Sequence, residues 1–294
     1  MKTIDAHQHF WDPSRASYPW MEAPALAPIR RPFAPADLRP LLDAEGIDGC
    51  IFVQCRHDEE ETAEQLAATR AHTWIAGVVG WIDLEAPDVD ARIARLRAMP
   101  GGERLVGIRH IVHDEKDEAW LARPSVVRGL RRVAAAGLAY DLLVRARELP
   151  AAIAAVRAIP EGRFVLDHAA KPPIARGWDL AWAERVATLA REPNVACKLS
   201  GLVTEASWDS WTQDDLAPAF RHVIDAFGPG RLIYGSDWPV CLLAAPYKRV
   251  NAAFDRAIAG LSTEEGAAIR GGNAIATYRL AAARDPASAQ GIQA

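Results

Sequence analysis

Eight short runs of β-forming apolar residues recur along this chain, each followed by a stretch in which Ala, Leu and Arg repeat at helical spacing. The runs occupy 3–7 (TIDAH), 49–54, 75–82, 105–112, 138–144, 163–168, 194–200 and 231–237. Helical stretches fall at 37–45, 58–72, 88–98, 124–136, 148–158, 179–191, 214–227, 246–259 and 263–281, with Asp37 opening one and Gly46 and Gly137 ending two. Strands that are apolar nearly throughout are buried on both faces, as in parallel sheets covered by helices. Strict alternation with right-handed crossovers then leaves two solutions, an open doubly wound sheet or a closed barrel. Eight units, with starts mostly 26 to 37 residues apart in a chain of 294, point to an α/β protein built as a single (β/α)8 TIM barrel. No GxGxxG or GxxxxGKS/T follows any strand, which removes the usual reason to prefer the open sheet.

The first interval is the long one, at 46 residues, and its surplus is a Pro- and aromatic-rich insertion at 11–36. On a barrel, a segment that follows a strand lies at the C-terminal face, so this one is expected to wall or cover a pocket. The barrel domain is expected to span 1–283, with 284–294 as a flexible C-terminal tail.

The 34 Lys+Arg and 38 Asp+Glu are scattered along the chain, so no basic face recommends nucleic acid or an anionic membrane, and a small-molecule partner is expected. Cys50, Cys55, Cys197 and Cys241 form no CxxC pair and read as reduced thiols of a cytoplasmic protein. The polar N-terminus MKTIDAHQHF fits no signal peptide, and the chain reads as complete from residue 1. Oligomeric state leaves no trace in the sequence.

Barrel chemistry sits at the C-terminal ends of strands. Read in order, those ends offer His7 and His9; Gln54; Trp81 and Asp83; Arg109, His110 and His113; Tyr140 and Asp141; Asp167, His168 and Lys171; Lys198 and Ser200; and Ser236, Asp237 and Trp238. Residues i and i+2 of a strand project to one side, so His7 and His9 can aim at one point. With His168 and Asp237 they make a three-His, one-carboxylate set suited to Zn²⁺. Arg109, inside the apolar GIRHIV, needs a buried partner or a ligand to offset its desolvation. Gln54 ends an apolar strand in the same way. His57, His72 and His222 read as surface residues, and His113 fits either reading.

DAHQHFWD at 5–12, LDHAAKP at 166–172 and YGSDWPV at 234–240 resemble the amidohydrolase superfamily, in its amidohydrolase-related branch of sugar and dicarboxylate lactonases. The likeness runs from the first strand to the helix after the eighth, and is strongest to L-fuconolactonases and L-rhamnonolactonases of carbohydrate catabolism. It implies a barrel with a metal-ligating HxH, here His7 and His9, and an Asp on the last strand, here Asp237. Two-metal members carry a Lys or Glu after the fourth strand and a His after the fifth; this chain has Arg109 and His110, then Tyr140 and Asp141. One divalent metal is therefore the expectation, held by His7, His9, His168 and Asp237, in a branch that includes members working without metal.

The implied reaction is hydrolysis of a sugar-acid lactone. Asp237 is the expected base, His168 its orienting partner, and His7 and His9 the groups that polarise the carbonyl. Gln54, Trp81, Arg109, His110, Tyr140, Lys171, Lys198 and Trp238 are the expected substrate contacts. A metal-dependent decarboxylase of the same branch and a barrel that binds without catalysis are the alternatives. Ten Trp exceed seven Phe and five Tyr. Trp11, Trp20, Trp81, Trp208, Trp211 and Trp238 are expected to line one pocket, whereas Trp74, Trp120, Trp178 and Trp182 read as helix or core residues.

Overall fold

A computed structural model describes residues 2–280. The expected tail at 284–294 and the last residues of the 1–283 domain lie outside that range. Eight parallel strands pair in sequence order: β1 (Ile4–Gln8), β2 (Gly49–Val53), β3 (Ile75–Gly80), β4 (Leu105–Ile111), β5 (Ala139–Leu143), β6 (Arg163–Leu166), β7 (Val195–Leu199) and β8 (Leu232–Tyr234). Helices α1 (Pro35–Ala44), α2 (Glu59–Ala68), α3 (Val89–Ala98), α4 (Pro124–Ala135), α5 (Leu149–Ala158), α6 (Leu180–Ala190), α7 (Gln213–Phe227) and α8 (Tyr247–Ile258) follow the strands in turn. The (β/α)8 barrel expected from the sequence is the observed fold.

Alternation along each strand builds two cores. Ile4, Ile51, Val53, Val79, Val165 and Ile233 fill the barrel interior, while Cys50, Phe52, Ile108, Leu142, Phe164 and Leu166 face the helices. Amphipathic helices answer them: α4 buries Val126, Leu130 and Val133 at helical spacing. Gly46 and Gly137 end α1 and α4 with φ of 66° and 71°, where a side chain would be strained.

β8 is short, and the barrel closes just beyond it. Asp237 N–H donates to the carbonyl of His7 at 2.8 Å, and His9 N–H donates to the carbonyl of Trp238 at 2.7 Å. The strand runs expected at 163–168 and 231–237 therefore end early, because His168 and Asp237 leave the extended conformation, with φ of 52° and 60°.

At the opposite end, the expected 263–281 helix is two short ones, α9 (Thr263–Ala267) and α10 (Asn273–Tyr278), separated by a π-helical turn at Ala268–Gly272. Gly271 packs so closely on the residues leading into β1 that a Cβ would lie 1.9 Å from the Lys2 carbonyl oxygen. This C-terminal unit plugs the barrel floor with Ala274, Tyr278 and Leu280.

The insertion is clasped at its ends, where Trp11 and Phe33 exchange backbone hydrogen bonds of 3.1 and 2.8 Å. Between them run two 3₁₀ turns, Pro19–Met21 and Pro24–Ile29. Trp11 is buried, and its indole N–H donates to the carbonyls of Ile29 and Arg31.

Candidate active site

A register shift between Asp5 and Gln8 in β1 keeps Ala6 in the barrel interior and still turns His7 toward the axis. His7, His9 and His168 then meet around Asp237. Their Nε2 atoms lie 3.7, 3.4 and 3.8 Å from Asp237 Oδ1. All four side chains are buried.

Each imidazole is held from behind. His9 Nδ1 contacts the Val53 carbonyl at 2.6 Å, His168 Nδ1 the Ser200 hydroxyl at 2.9 Å, and His7 Nδ1 the Asp167 carboxylate at 3.3 Å. With the Nδ1 side occupied, the Nε2 atoms face Asp237. Burial pushes the pKa values of His7, His9 and His168 below the ordinary imidazole value. Burial alone would raise Asp237, but His168, His9 and Lys171 together outweigh it and hold the carboxyl below its ordinary value.

These donors fit a metal ion. Donor atoms of His7, His168 and Asp237 lie within 4.8 Å of one another; His9, expected as a fourth ligand, is outside that group, its Nε2 3.4 Å from Asp237. Tetrahedral ligands about 2.1 Å from zinc stand roughly 3.4 Å apart, close to the spacing seen around Asp237. Three protein ligands with a position left for water or substrate is the pattern of catalytic zinc. The charge count agrees. Arg109 and Lys198 pair with Asp141 and Asp167, and among the described residues Asp237 alone of these three carboxylates has no Arg or Lys in salt-bridge contact.

Beneath the imidazoles lies a buried ionic layer. Lys198 Nζ is 2.6 Å from Asp141 and 2.9 Å from Asp167, with His7 Nδ1 at 3.3 Å. Arg109 Nη1 donates to Asp167 at 3.1 Å and stands 3.3 Å from His7 Nε2, while Nη2 donates to the Gln54 carbonyl. From the floor, the Tyr278 hydroxyl reaches Asp141 at 2.8 Å. Burial raises Asp141 to about 6, against the pull of Lys198; Asp167 is held well below its ordinary value, Lys198 and His7 overcoming its burial.

The cleft above measures about 390 Å³, with His9, His168 and Asp237 on one side, Arg109, His113, Arg145 and Lys171 around it, and Trp20 and Leu26 supplied by the insertion. The insertion is a wall of the pocket, as expected. Two residues of the centre sit in strained backbone. His168, Ala169, Ala170 and Lys171 form an unbroken left-handed run, and Asp237 shares that conformation. The cost is about 1–2 kcal/mol per non-glycine residue.

Residues 4–280 match the amidohydrolase family model. This chain belongs to the amidohydrolase family. An L-fucono-1,5-lactonase of Burkholderia multivorans is 41% identical over 94% of this chain and 96% of its own, and one from Burkholderia ambifaria is 40% identical over 94% and 95%. A crystal structure of an amidohydrolase from Burkholderia multivorans with bound zinc superposes with a TM-score of 0.90 at 39% identity, covering 96% of this chain and all of that one.

Of the substrate contacts expected for this amidohydrolase, Arg109 and Lys171 line the cleft, Lys171 in an ion pair of 2.9 Å with Glu205. The others lie elsewhere. Tyr140 sits on the outer face of β5 against Phe164; the alternation places Asp141, one residue on, in the interior. Lys198 is fully buried below the floor of the cleft. Gln54 braces Arg109, its amide donating to the Arg109 carbonyl at 3.1 Å. Trp238 packs edge-on against Phe33 beneath the insertion.

Trp81 and His110 belong to a stack off to the side. The Trp81 indole donates to His110 Nδ1 at 3.1 Å, and the His110 ring lies 3.8 Å from His57 and 4.1 Å from Trp120. His57 is exposed, as expected, and is tied down there: its Nε2 accepts the Ile111 N–H at 3.0 Å. Only Trp20 and Trp208 of the six tryptophans expected around the pocket line it; Trp11, Trp211 and Trp238 are buried behind it. His113, Arg145, Thr204 and Glu205 line the cleft without having been assigned to it from sequence. Arg145 was the most discoverable, since it follows the apolar run of the fifth strand directly. Among the described residues no helix is long and apolar enough to cross a membrane.

Proposed function

We propose that this amidohydrolase hydrolyses a sugar-acid lactone, with L-fucono-1,5-lactone or a related aldonolactone as substrate. One observation carries the chemistry: the Asp237 carboxylate is buried at the edge of the cleft with the Nε2 atoms of three imidazoles 3.4 to 3.8 Å from its Oδ1. The two lactonases identical at 41% and 40% over nearly the whole chain support the substrate class.

Asp237 takes a proton from water as the oxygen attacks the lactone carbonyl carbon. The carbonyl π electrons move to oxygen, then return as the bond from that carbon to the ring oxygen breaks. Asp237 gives its proton to the departing ring oxygen, leaving a hydroxyl and a carboxylic acid that ionises at neutral pH. His168, braced by Ser200, keeps the carboxylate oriented. Arg109 and Lys171 supply positive charge facing the cleft, where negative charge develops on the carbonyl oxygen and persists on the product. Trp20 and Trp208 offer flat apolar area to the C–H faces of a sugar-derived ring. His7, His168 and Asp237, with His9 adjoining, would hold a divalent ion, for which we infer Zn²⁺. Such an ion supplies Lewis acidity that lowers the pKa of water and polarises a carbonyl.

Proton release measured across a panel of sugar lactones, before and after chelation, tests this reading. Turnover of a 6-deoxyaldonolactone is the expected result. Carbon dioxide release from unsaturated acids, with no lactone opened, would overturn it.

A further inference from the structure

The run His168–Lys171 holds four consecutive φ values of 52°, 50°, 58° and 52°, a full left-handed turn built without glycine. Alanine and lysine have no local reason to adopt that conformation, so the surroundings must impose it. Three contacts do so. Lys171 N–H closes the turn on the His168 carbonyl at 2.8 Å, and Ser200 takes the His168 ring at 2.9 Å. The third comes from outside the barrel wall, where the Trp182 indole N–H donates to the carbonyl of Ala169 at 2.8 Å.

Trp182 lies on α6, is only 1% exposed and takes no part in lining the cleft. Its own backbone N–H donates to Asp179 at the start of the helix, at 3.1 Å, which fixes the main chain that carries the indole. Without the indole N–H, the Ala169 carbonyl would be a buried acceptor with no partner from α6. The turn could then leave the left-handed region, Ala169 and Ala170 first, and carry the His168 ring away from Asp237.

We propose that Trp182 is a positioning residue for the lactone-opening reaction, holding the left-handed turn through the Ala169 carbonyl and thereby fixing His168 against Asp237. The proposal rests on the role given to His168 in the functional reading above.

Trp211 makes a matched control. Its indole is also buried and donates to a backbone carbonyl, that of Ala244, at 2.9 Å. Trp182→Phe and Trp211→Phe each delete one buried indole bond and keep an aromatic ring. Comparable falls in Tm are expected from the two. Trp182→Phe alone should lower kcat at least tenfold with KM within twofold, and shift the imidazole ¹⁵N signals of His168, assigned through His168→Asn. Adding Ala169→Gly and Ala170→Gly to Trp182→Phe removes the penalty that drives the turn to relax, so turnover should recover at least threefold. Should Trp182→Phe not fold alone, the same glycine background carries the comparison: there, Trp182→Phe should leave kcat within twofold.

Parallel kcat losses in the two Phe variants, unchanged kcat in folded Trp182→Phe, no recovery with glycine, or a large kcat loss in the glycine background would each overturn the proposal. If the wild-type enzyme opens no lactone, the functional reading fails by itself. The His168 signals then decide positioning: a shift in Trp182→Phe alone supports it, and unchanged signals refute it.

Discussion

The backbone N–H of Asp237 donates to the carbonyl of His7 at 2.8 Å, while the Asp237 carboxylate lies 3.7 Å from the His7 ring. The two residues thus join the last strand to the first and, with their side chains, form the reaction centre. Asp237→Asn keeps the backbone bond, and Asn tolerates the left-handed conformation Asp237 adopts. Stability should change little, while loss of the base should cost about 10²–10⁴ in kcat. Thermal melts beside lactone assays check both halves; near-wild-type turnover would remove Asp237 as the base.

Gly201 has φ of 65°, and a Cβ on it would lie 2.5 Å from His168 Nδ1 and 3.1 Å from Asp237 Oδ2. Gly201→Ala is expected to cost about 1–3 kcal/mol in backbone strain. It should also displace the His168 ring, and kcat should fall at least tenfold in protein that remains folded. Urea titration and turnover on one preparation test this.

Lys198 is the shared counter-charge of Asp141 and Asp167, and all three are fully buried. Lys198→Met leaves two carboxylates without that cation and should destabilise the barrel by about 3–5 kcal/mol. Adding Asp141→Asn removes one stranded charge, so part of the loss should return. Denaturant midpoints at pH 7 for the single and double variants measure the difference.

Acid should weaken the aromatic stack beside the cleft. Desolvation within the stack lowers both His57 and His110 to about 4, from an ordinary value of 6.5. Between those values the unfolded chain binds protons that the folded chain does not, so stability is full above pH 6.5 and declines as pH falls toward 4. Protonation would also break the bond that His110 Nδ1 accepts from Trp81. His57→Gln/His110→Gln should show a flatter acid limb in melts taken from pH 7 to pH 4; an unchanged slope would exclude the stack as its source.

Metal binding gives a test independent of turnover. Calorimetric titration of chelator-treated protein with Zn²⁺ should give one site, weakened at least tenfold by His168→Asn. His113→Gln should leave the affinity unchanged, because His113 lines the cleft away from the converging donors. Equal losses in the two variants would place the ion elsewhere.

Much of this arrangement was legible in one dimension. Strand spacing gave the barrel, and the strand-end rule brought His7, His9, His168 and Asp237 together from distant parts of the chain. Tyr140 shows where that rule falls short: naming the strand end does not give the phase of its alternation, and the interior residue is Asp141. His110 misled in the same way, since it turns into an aromatic stack. Tyr278 left no signal, because its bond to Asp141 spans 137 positions and comes from a helix beyond the last barrel unit. The left-handed turn was hidden because Ala169 and Ala170 are ordinary helix formers, and tertiary contacts override that preference.

The paired bonds between Trp11 and Phe33 fix both ends of the insertion whatever lies between them. Trp20 and Leu26, the side chains it lends to the cleft, sit inside that clasp, while the imidazoles sit outside it on the barrel. The insertion therefore lends one wall of the cleft as a separable piece, while the reacting groups and the remaining walls belong to the barrel. Exchanging residues 12–32 between related barrels is a route to altered lactone preference that leaves the chemical apparatus in place.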